Sequence, residues 1–422
     1  MKNEYTRTKY ACYMTNVTMA IVGNLPPVLF LTFRNMFGIS YTLLGLLVLI
    51  NFCTQLTIDL IFSFFSHKFN IANTVKITPL IGTVGLVTFA LLPFAMKGYE
   101  YIALIIGTLI YSASCGLAEV LISPTIAAIP SDNPERSMSA LHSIYAWGSA
   151  AVIVITTLFV LFVGGKYWYI LTLIFALVPF TSFILFMGAK VPVMETPQKM
   201  SGVFELLKNK SLWLCVFAIF LGGASECTMA QWSSSYIEQA LSIPKVWGDI
   251  CGVAMFGVTL GLGRTLYAKF GKNISKVLFA CTTGATICYL VCVIVPVPII
   301  GLIACALTGF CTSMLWPGSL IVAEHKVPSG GVFIFAMMAA GGDLGASVGP
   351  QLVGVVTDSI IASPFATELA SALSISVEAL GMKAGLMVGM FFPLVGIIIF
   401  GIILRSYKKE KQNGQCLEVK EA

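Results

Sequence analysis

Apolar runs of about twenty residues or more recur along this 422-residue chain, and that recurrence restricts the fold more than any motif does. About twenty apolar residues in a helix cross the hydrocarbon core of a bilayer. Composition agrees. Of all residues 57% are hydrophobic and 10% charged, against about 25% charged in a soluble domain, and the mean hydropathy is +0.91. We expect an all-α membrane protein with twelve transmembrane helices over residues 9–33, 39–65, 74–96, 99–129, 137–163, 165–189, 211–239, 245–268, 274–297, 299–324, 330–357 and 379–404. The net charge of +6 points to no nucleic-acid partner, because the basic residues sit in short loops between spans. No cleavable leader is evident, since the polar start from Met1 to Lys9 runs into a long apolar stretch without a cleavage site. The twelve cysteines are scattered, mostly inside spans. Cys288 and Cys292 share a helix face, but no CxxC pair or histidine cluster occurs. We read them as small apolar packing residues and expect no cofactor and no metal.

Basic residues set the orientation, because they concentrate in cytoplasmic loops. With the N-terminus inside, only Arg34, Lys97, Lys166, Lys245 and Lys383 fall outside, leaving 20 of the 25 lysines and arginines inside. Both termini are therefore expected in the cytoplasm of a multi-pass cell-membrane protein.

A repeat is also visible. Pro124 follows Gly116 by eight residues, and Pro317 follows Gly309 by eight. Gly148 lies 24 residues after Pro124, as Gly341 does after Pro317. The two halves carry one plan, six helices plus six, with a solute path between them near the midplane. The expected domains are an N-terminal six-helix bundle at 1–189, a cytoplasmic linker at 190–210, a C-terminal six-helix bundle at 211–404 and a cytoplasmic tail at 405–422.

Four acids lie inside apolar runs, where a carboxylate costs several kcal/mol, about 2.5–3.5 on insertion scales, and needs a reason. Glu119 lies deep in one of them. A carboxyl group withdrawn from water disfavours its charged form, so Glu119 can load and release a proton as access alternates; the structural alternative is a hydrogen-bond partner that never titrates. Glu226 could bind solute hydroxyls, act as a second protonation site, or tether helices. Asp343 follows Gly341 and precedes Gly345 and Gly349. Those glycines, four residues apart, form one close-packing face, and Asp343 points away from it, toward a cavity or a neighbouring helix. Asp59 lies roughly 12 Å inside the end of helix two, counting 1.5 Å per residue from His67. It suits a gate or an interhelical hydrogen bond, or takes the place of an acid that helix one lacks.

The sequence resembles the major facilitator superfamily and, within it, the fucose–proton symporter family. The resemblance rests on Gly116-Leu-Ala-Glu119-Val-Leu-Ile-Ser-Pro124, then His142-Ser-Ile-Tyr145-Ala-Trp147-Gly148. It continues with Glu226 through Gln231, Trp232 and Tyr236, then Gly309 through Trp316-Pro317, and Gly341-Gly342-Asp343-Leu-Gly345. It departs at Ser123, where the family has asparagine, and at Gly23-Asn24-Leu25-Pro26-Pro27, where fucose permeases carry an acid. The first-half loop signature is poor around Asp59. The second half keeps a better one from Gly263-Arg264 to Gly271-Lys272.

The resemblance implies a secondary active transporter importing a monosaccharide or related polyol with a proton by alternating access. Glu119, with Asp59, is the implied proton-coupling group. Hydroxyls of a sugar would bond amides and imidazole, while its C–H faces lie on aromatic rings. The candidates are Asn24, His142, Tyr145, Trp147, Glu226, Gln231, Trp232, Tyr236, Trp316 and Asp343, although aromatic side chains in membrane helices also serve simply as packing. Trp168 is expected in the interfacial belt. Arg264, Lys269 and Lys272 are expected in an inner loop, Arg264 as a gating residue without solute contact. The expected partners are a small-molecule solute, a proton and the lipid bilayer, with the protein a monomer. An exporter of drugs or amphipathic metabolites is the alternative, disfavoured by the weak first-half loop. An enzyme is disfavoured because the three histidines, His67, His142 and His325, lie far apart and no nucleophile motif occurs.

Overall fold

The computed structural model describes residues 4–65, 68–130, 134–192, 208–327 and 331–412. No strand occurs among the described residues. The helices are α1 (Thr6–Phe37), α2 (Tyr41–Phe65), α3 (Ile71–Ala95), α4 (Glu100–Ala128), α5 (Pro134–Phe162), α6 (Trp168–Met187) and α7 (Lys210–Leu241). Helix α8 runs through three segments, Lys245–Gly248, a π-helical turn at Asp249–Ala254, and Met255–Phe270. Then come α9 (Ile274–Ile294), α10 in two segments (Pro298–Thr312 and Leu315–Lys326), α11 (Gly331–Ile361) and α12 (Val377–Gln412). A short helix, Ala366–Ala372, occupies part of the expected loop between the last two spans. Eleven of the described helices are long and apolar enough to cross a membrane, and the shorter apolar part of α5, Trp147–Phe162, supplies the twelfth. All twelve expected spans are present, with ends shifted by a few residues. Residues 193–207 of the expected linker, 413–422 of the expected tail, His67, and the side chains of Ser123, Pro124 and His142 lie outside the described residues.

Local sequence explains where helices begin and end. Asn70 accepts the Asn73 backbone N–H at 3.1 Å and so caps α3, and Asn209 does the same for α7 from Ser211 at 2.9 Å. Gly38 closes α1 at φ 65°, a left-handed conformation open to glycine at little cost, and its N–H returns to the Arg34 carbonyl. Arg34 then covers the Tyr41 ring at 4.1 Å.

Within the first six helices, α1 packs on α5 and α6, and α3 on α4 and α6; within the last six, α7 packs on α11 and α12, and α9 on α12. The pairs α2–α11 and α5–α8 join the two bundles. The glycines of the sequence repeat make equivalent contacts in each. A Cβ on Gly116 would meet α2 at Gln55, and one on Gly309 would meet α8 at Phe256. Likewise Gly148 faces Ala20 of α1, and Gly341 faces Val216 of α7. Each fourth helix thus lies close on the second of its bundle, and each fifth on the first. Trp168 departs from expectation. It is fully buried, with ring centroids 4.9 Å from Phe33 and 5.7 Å from Phe89. It opens α6 on the face turned toward α1 and α3, so its indole fills the bundle core instead of an interfacial belt.

Because the helices alternate in direction, α1 begins and α12 ends at one face of the molecule, here called the terminus face, and the opposite face is the far face.

Candidate functional site

Three acids from three helices converge. One carboxyl oxygen each from Asp59 (α2), Glu119 (α4) and Asp343 (α11) lie within 4.8 Å of one another. Asp59 lies six residues before the end of α2 and Glu119 nine before the end of α4, roughly 9 and 14 Å inside the terminus face at 1.5 Å per residue. Asp59 is 5% exposed and Asp343 4%, whereas Glu119 is only partly buried. Asp343 reaches this cluster because the Gly341, Gly345 and Gly349 stripe faces the other way, onto α7. A Cβ on Gly345 would stand 2.0 Å from the Phe220 carbonyl. Among the described residues no donor reaches either Asp59 oxygen or Asp343 Oδ2. Three acids in a low-dielectric interior without a cationic neighbour repel one another unless protons or a small ion neutralise them. Sequence placed Asp343 with the solute; the structure brings it to the acids.

A second polar centre lies on α7 and α8. Arg264 donates to Glu226 Oε1 at 3.3 Å and from Nε to the Ser313 carbonyl at 3.1 Å. Pro317 accounts for that second bond. Proline has no N–H to return to the carbonyl four residues back, so Ser313 keeps a free acceptor where α10 breaks. The expectation that Arg264 sits in a loop is corrected, because α8 continues six residues beyond it to Phe270. Its guanidinium reaches inward to pair with Glu226. The Trp316 ring lies over Gly223 and Gly342, where a Cβ would approach it to 3.1 and 2.4 Å. The two glycines make room for the indole between α7 and α11. Tyr145 of α5 faces Gly23 of α1 and lies within electrostatic reach of Glu226, Arg264 and Cys115. Cys227 lies within electrostatic reach of both Glu226 and Asp343.

Four of the other candidates, Trp147, Trp232, Tyr236 and Asn24, fall elsewhere. Trp147 is 71% exposed. It follows Tyr145 by two residues, about 200° around a helix of 3.6 residues per turn, and so faces away from α1. Trp232 is fully buried, donates to the Pro350 carbonyl at 2.9 Å, and packs on Phe30 and Tyr41. Tyr236 is also buried, its hydroxyl donating to the Cys292 carbonyl. Both have apolar surroundings and a satisfied polar tip. Asn24 donates to the Ala20 carbonyl at 2.8 Å and to Ser149 Oγ at 3.0 Å, tying α1 to α5. Gln231 donates to the Gly23 carbonyl at 3.4 Å and lines a cleft with Gly23, Asn51 and Tyr111.

Sequence reasoning missed the far-face closure. The Asp358 carboxylate on α11 accepts the backbone N–H groups of Tyr41 at 3.2 Å and Thr42 at 2.5 Å, at the start of α2. Buried Asp249 on α8 accepts from Thr157 of α5 at 2.9 Å and pairs with Lys245 at 3.2 Å. Each joins the two bundles. The signal available was an acid near the outer end of a span, which is weak because such acids also sit in loops.

The family model for the Major Facilitator Superfamily matches residues 11–350. No curated protein matches the chain by sequence. Among solved structures, a bacterial homolog of the human lysosomal transporter Spinster, inward-facing and unoccupied, is 12% identical, with 96% of this chain and 98% of that one covered and a TM-score of 0.73. A nucleoside transporter variant is 11% identical over 95% and 99%, with a TM-score of 0.68. A variant of the E. coli fucose–proton symporter is 14% identical over 94% and 99%, with a TM-score of 0.61.

Proposed function

We propose that this chain, which belongs to the Major Facilitator Superfamily, carries a small polar solute, a monosaccharide or related polyol, across the cell membrane together with a proton. It is a multi-pass membrane transporter and not an enzyme. The observation that carries the coupling is the meeting of Asp59, Glu119 and Asp343 with no cationic neighbour among the described residues. Such a group needs neutralising charge to remain in the membrane interior, and protons supply it in this reading. Glu119, the most open of the three, is the exchange group. Solute hydroxyls fit the other centre, with Glu226 and Arg264 as charged hydrogen-bond partners, Tyr145 and Gln231 as neutral ones, and the Trp316 ring as an apolar face. His142, on the same helix as Tyr145, belongs to this proposal by its position. The solute class is supported by the names of two fold neighbours, a fucose–proton symporter and a nucleoside transporter, both handling hydroxylated solutes. The basic-residue count supports a cytoplasmic terminus face.

The test is uptake into proteoliposomes under an imposed pH gradient, screened over monosaccharides and polyols. Glu119→Gln should abolish gradient-driven accumulation and leave counterflow exchange measurable. Uphill uptake retained in that variant refutes the role of Glu119.

A further inference from the structure

Asp59 and Asp343 belong to different six-helix bundles, yet they lie within hydrogen-bonding reach of each other. Both are more than nine-tenths buried, and neither Asp59 oxygen nor Asp343 Oδ2 meets a donor. Other acids at contacts between helices have cationic or backbone partners: Asp249 has Thr157 and Lys245, Asp358 has two backbone N–H groups, and Glu226 has Arg264, while Glu238, whose Oε2 also lacks a donor, has the Lys245 charge nearby. Asp59 and Asp343 have no such charged or backbone partner among the described residues. Among the described residues the titratable groups around them are Glu119 from α4, Cys53 from α2 and Cys227 from α7, and none of these is a cation.

We propose that Asp59 and Asp343 share one proton across the boundary between the two bundles, so that the α2–α11 contact is itself a proton-dependent latch and Asp343 is a coupling residue instead of a solute ligand. With one proton present, the carboxyl group of one aspartate donates to the carboxylate of the other, a charge-assisted bond of the strong kind. With none, two carboxylates face each other at close range in a poorly screened interior, and the contact becomes repulsive. Glu119 stands beside the pair on its open side and can pass the proton in or out. The balance is simple: one proton leaves the pair, one O–H···O bond breaks, and one negative charge is added between α2 and α11. This deepens the proton-coupled reading above and rests on it for the latch's part in transport.

The experiment is thermal unfolding of the purified full chain in detergent, without solute, between pH 5 and 8.5. The wild type should lose Tm as pH rises. Asp343→Asn should flatten that slope, because an amide donates to the Asp59 carboxylate at every pH, whereas Glu226→Gln should keep it. Asp59→Asn provides the same test from the other bundle should Asp343→Asn fail to fold. A wild-type slope retained in both asparagine variants overturns the proposal, as does a wild type without a slope. Replacing potassium by sodium is the further arm. If sodium alone restores the Tm lost at alkaline pH, the acids hold a metal cation and the shared proton is refuted. A slope that behaves as proposed in a protein without pH-driven uptake leaves the latch standing and refutes the transport coupling, so the two readings fail separately.

Discussion

Asp358→Ala offers the sharpest test of how the far face is held shut. The Asp358 carboxylate accepts the N–H groups of Tyr41 and Thr42, which are among the first four of α2 and have no partner within their own helix. A hydrogen bond to a charged group contributes about 1.5–3 kcal/mol, and the favourable field of a helix N-terminus adds about 0.3–1 kcal/mol. Asp358 is only half-buried, so solvent partly replaces the lost bonds and about 2 kcal/mol is the reasonable net loss. The two N–H groups separate from Asp358 when the far face opens, so the loss falls on the closed state alone. At about 1.4 kcal/mol per factor of ten, the open population rises about thirtyfold. The assay is the labelling rate of a cysteine introduced at Val48, which is 5% exposed and lines the cleft beneath this closure. A membrane-impermeant maleimide should react about thirtyfold faster in the Asp358→Ala background, with Asp358→Asn intermediate because its amide oxygen still accepts. A rate within twofold of the parent would refute Asp358 as a holder of the closed state.

Three further outcomes follow from the contacts described. Gly345→Ala forces a Cβ to within 2.0 Å of the Phe220 carbonyl and should cost about 1–3 kcal/mol as overpacking, read as a lowered Tm. Gly257→Ala, with nothing within 4 Å, should leave the Tm unchanged or raise it slightly. On the terminus face, Lys190 lies 2.6 Å from Glu4 and holds its carboxyl below the usual range, while Glu4 raises the Lys190 ammonium. The pair therefore stabilises between the two titrations; the Glu4 share is lost as pH falls through its lowered value and the Lys190 share as pH rises through its raised one. Because both side chains are exposed, the difference in Tm between wild type and Glu4→Gln should be small and vanish in high salt.

The helices were legible because each leaves a run of apolar residues that no other structure in a bilayer tolerates. The repeat was legible for a similar reason, since Gly116 and Gly309 allow close approach between helices and nothing larger fits. The acids announced themselves by their cost. What sequence could not supply was rotation about the helix axis relative to neighbours outside the local repeat. Trp147 and Tyr145 looked like partners, yet two positions on a helix separate faces. Trp232 and Trp168 looked like surface or cavity aromatics, yet packing places both in cores. Arg264 looked like a loop charge because a polar segment follows it, and only the length of α8 and the carbonyl freed by Pro317 show it reaching inward.

The π-helical turn at Asp249–Ala254 carries a consequence for the rest of α8. A wide turn holds one residue more than an α-helical turn, so it acts as a phase shifter: every side chain after Met255 is rotated about 100° from where an uninterrupted α-helix would carry it. Arg264 faces Glu226 only in that shifted phase. Deleting a single residue within the wide turn would leave the apolar character of the span almost intact while swinging the guanidinium off its carboxylate. The geometry of the Glu226–Arg264 pair is thus written more than two turns away, in the count of residues between the far-face lock and Met255.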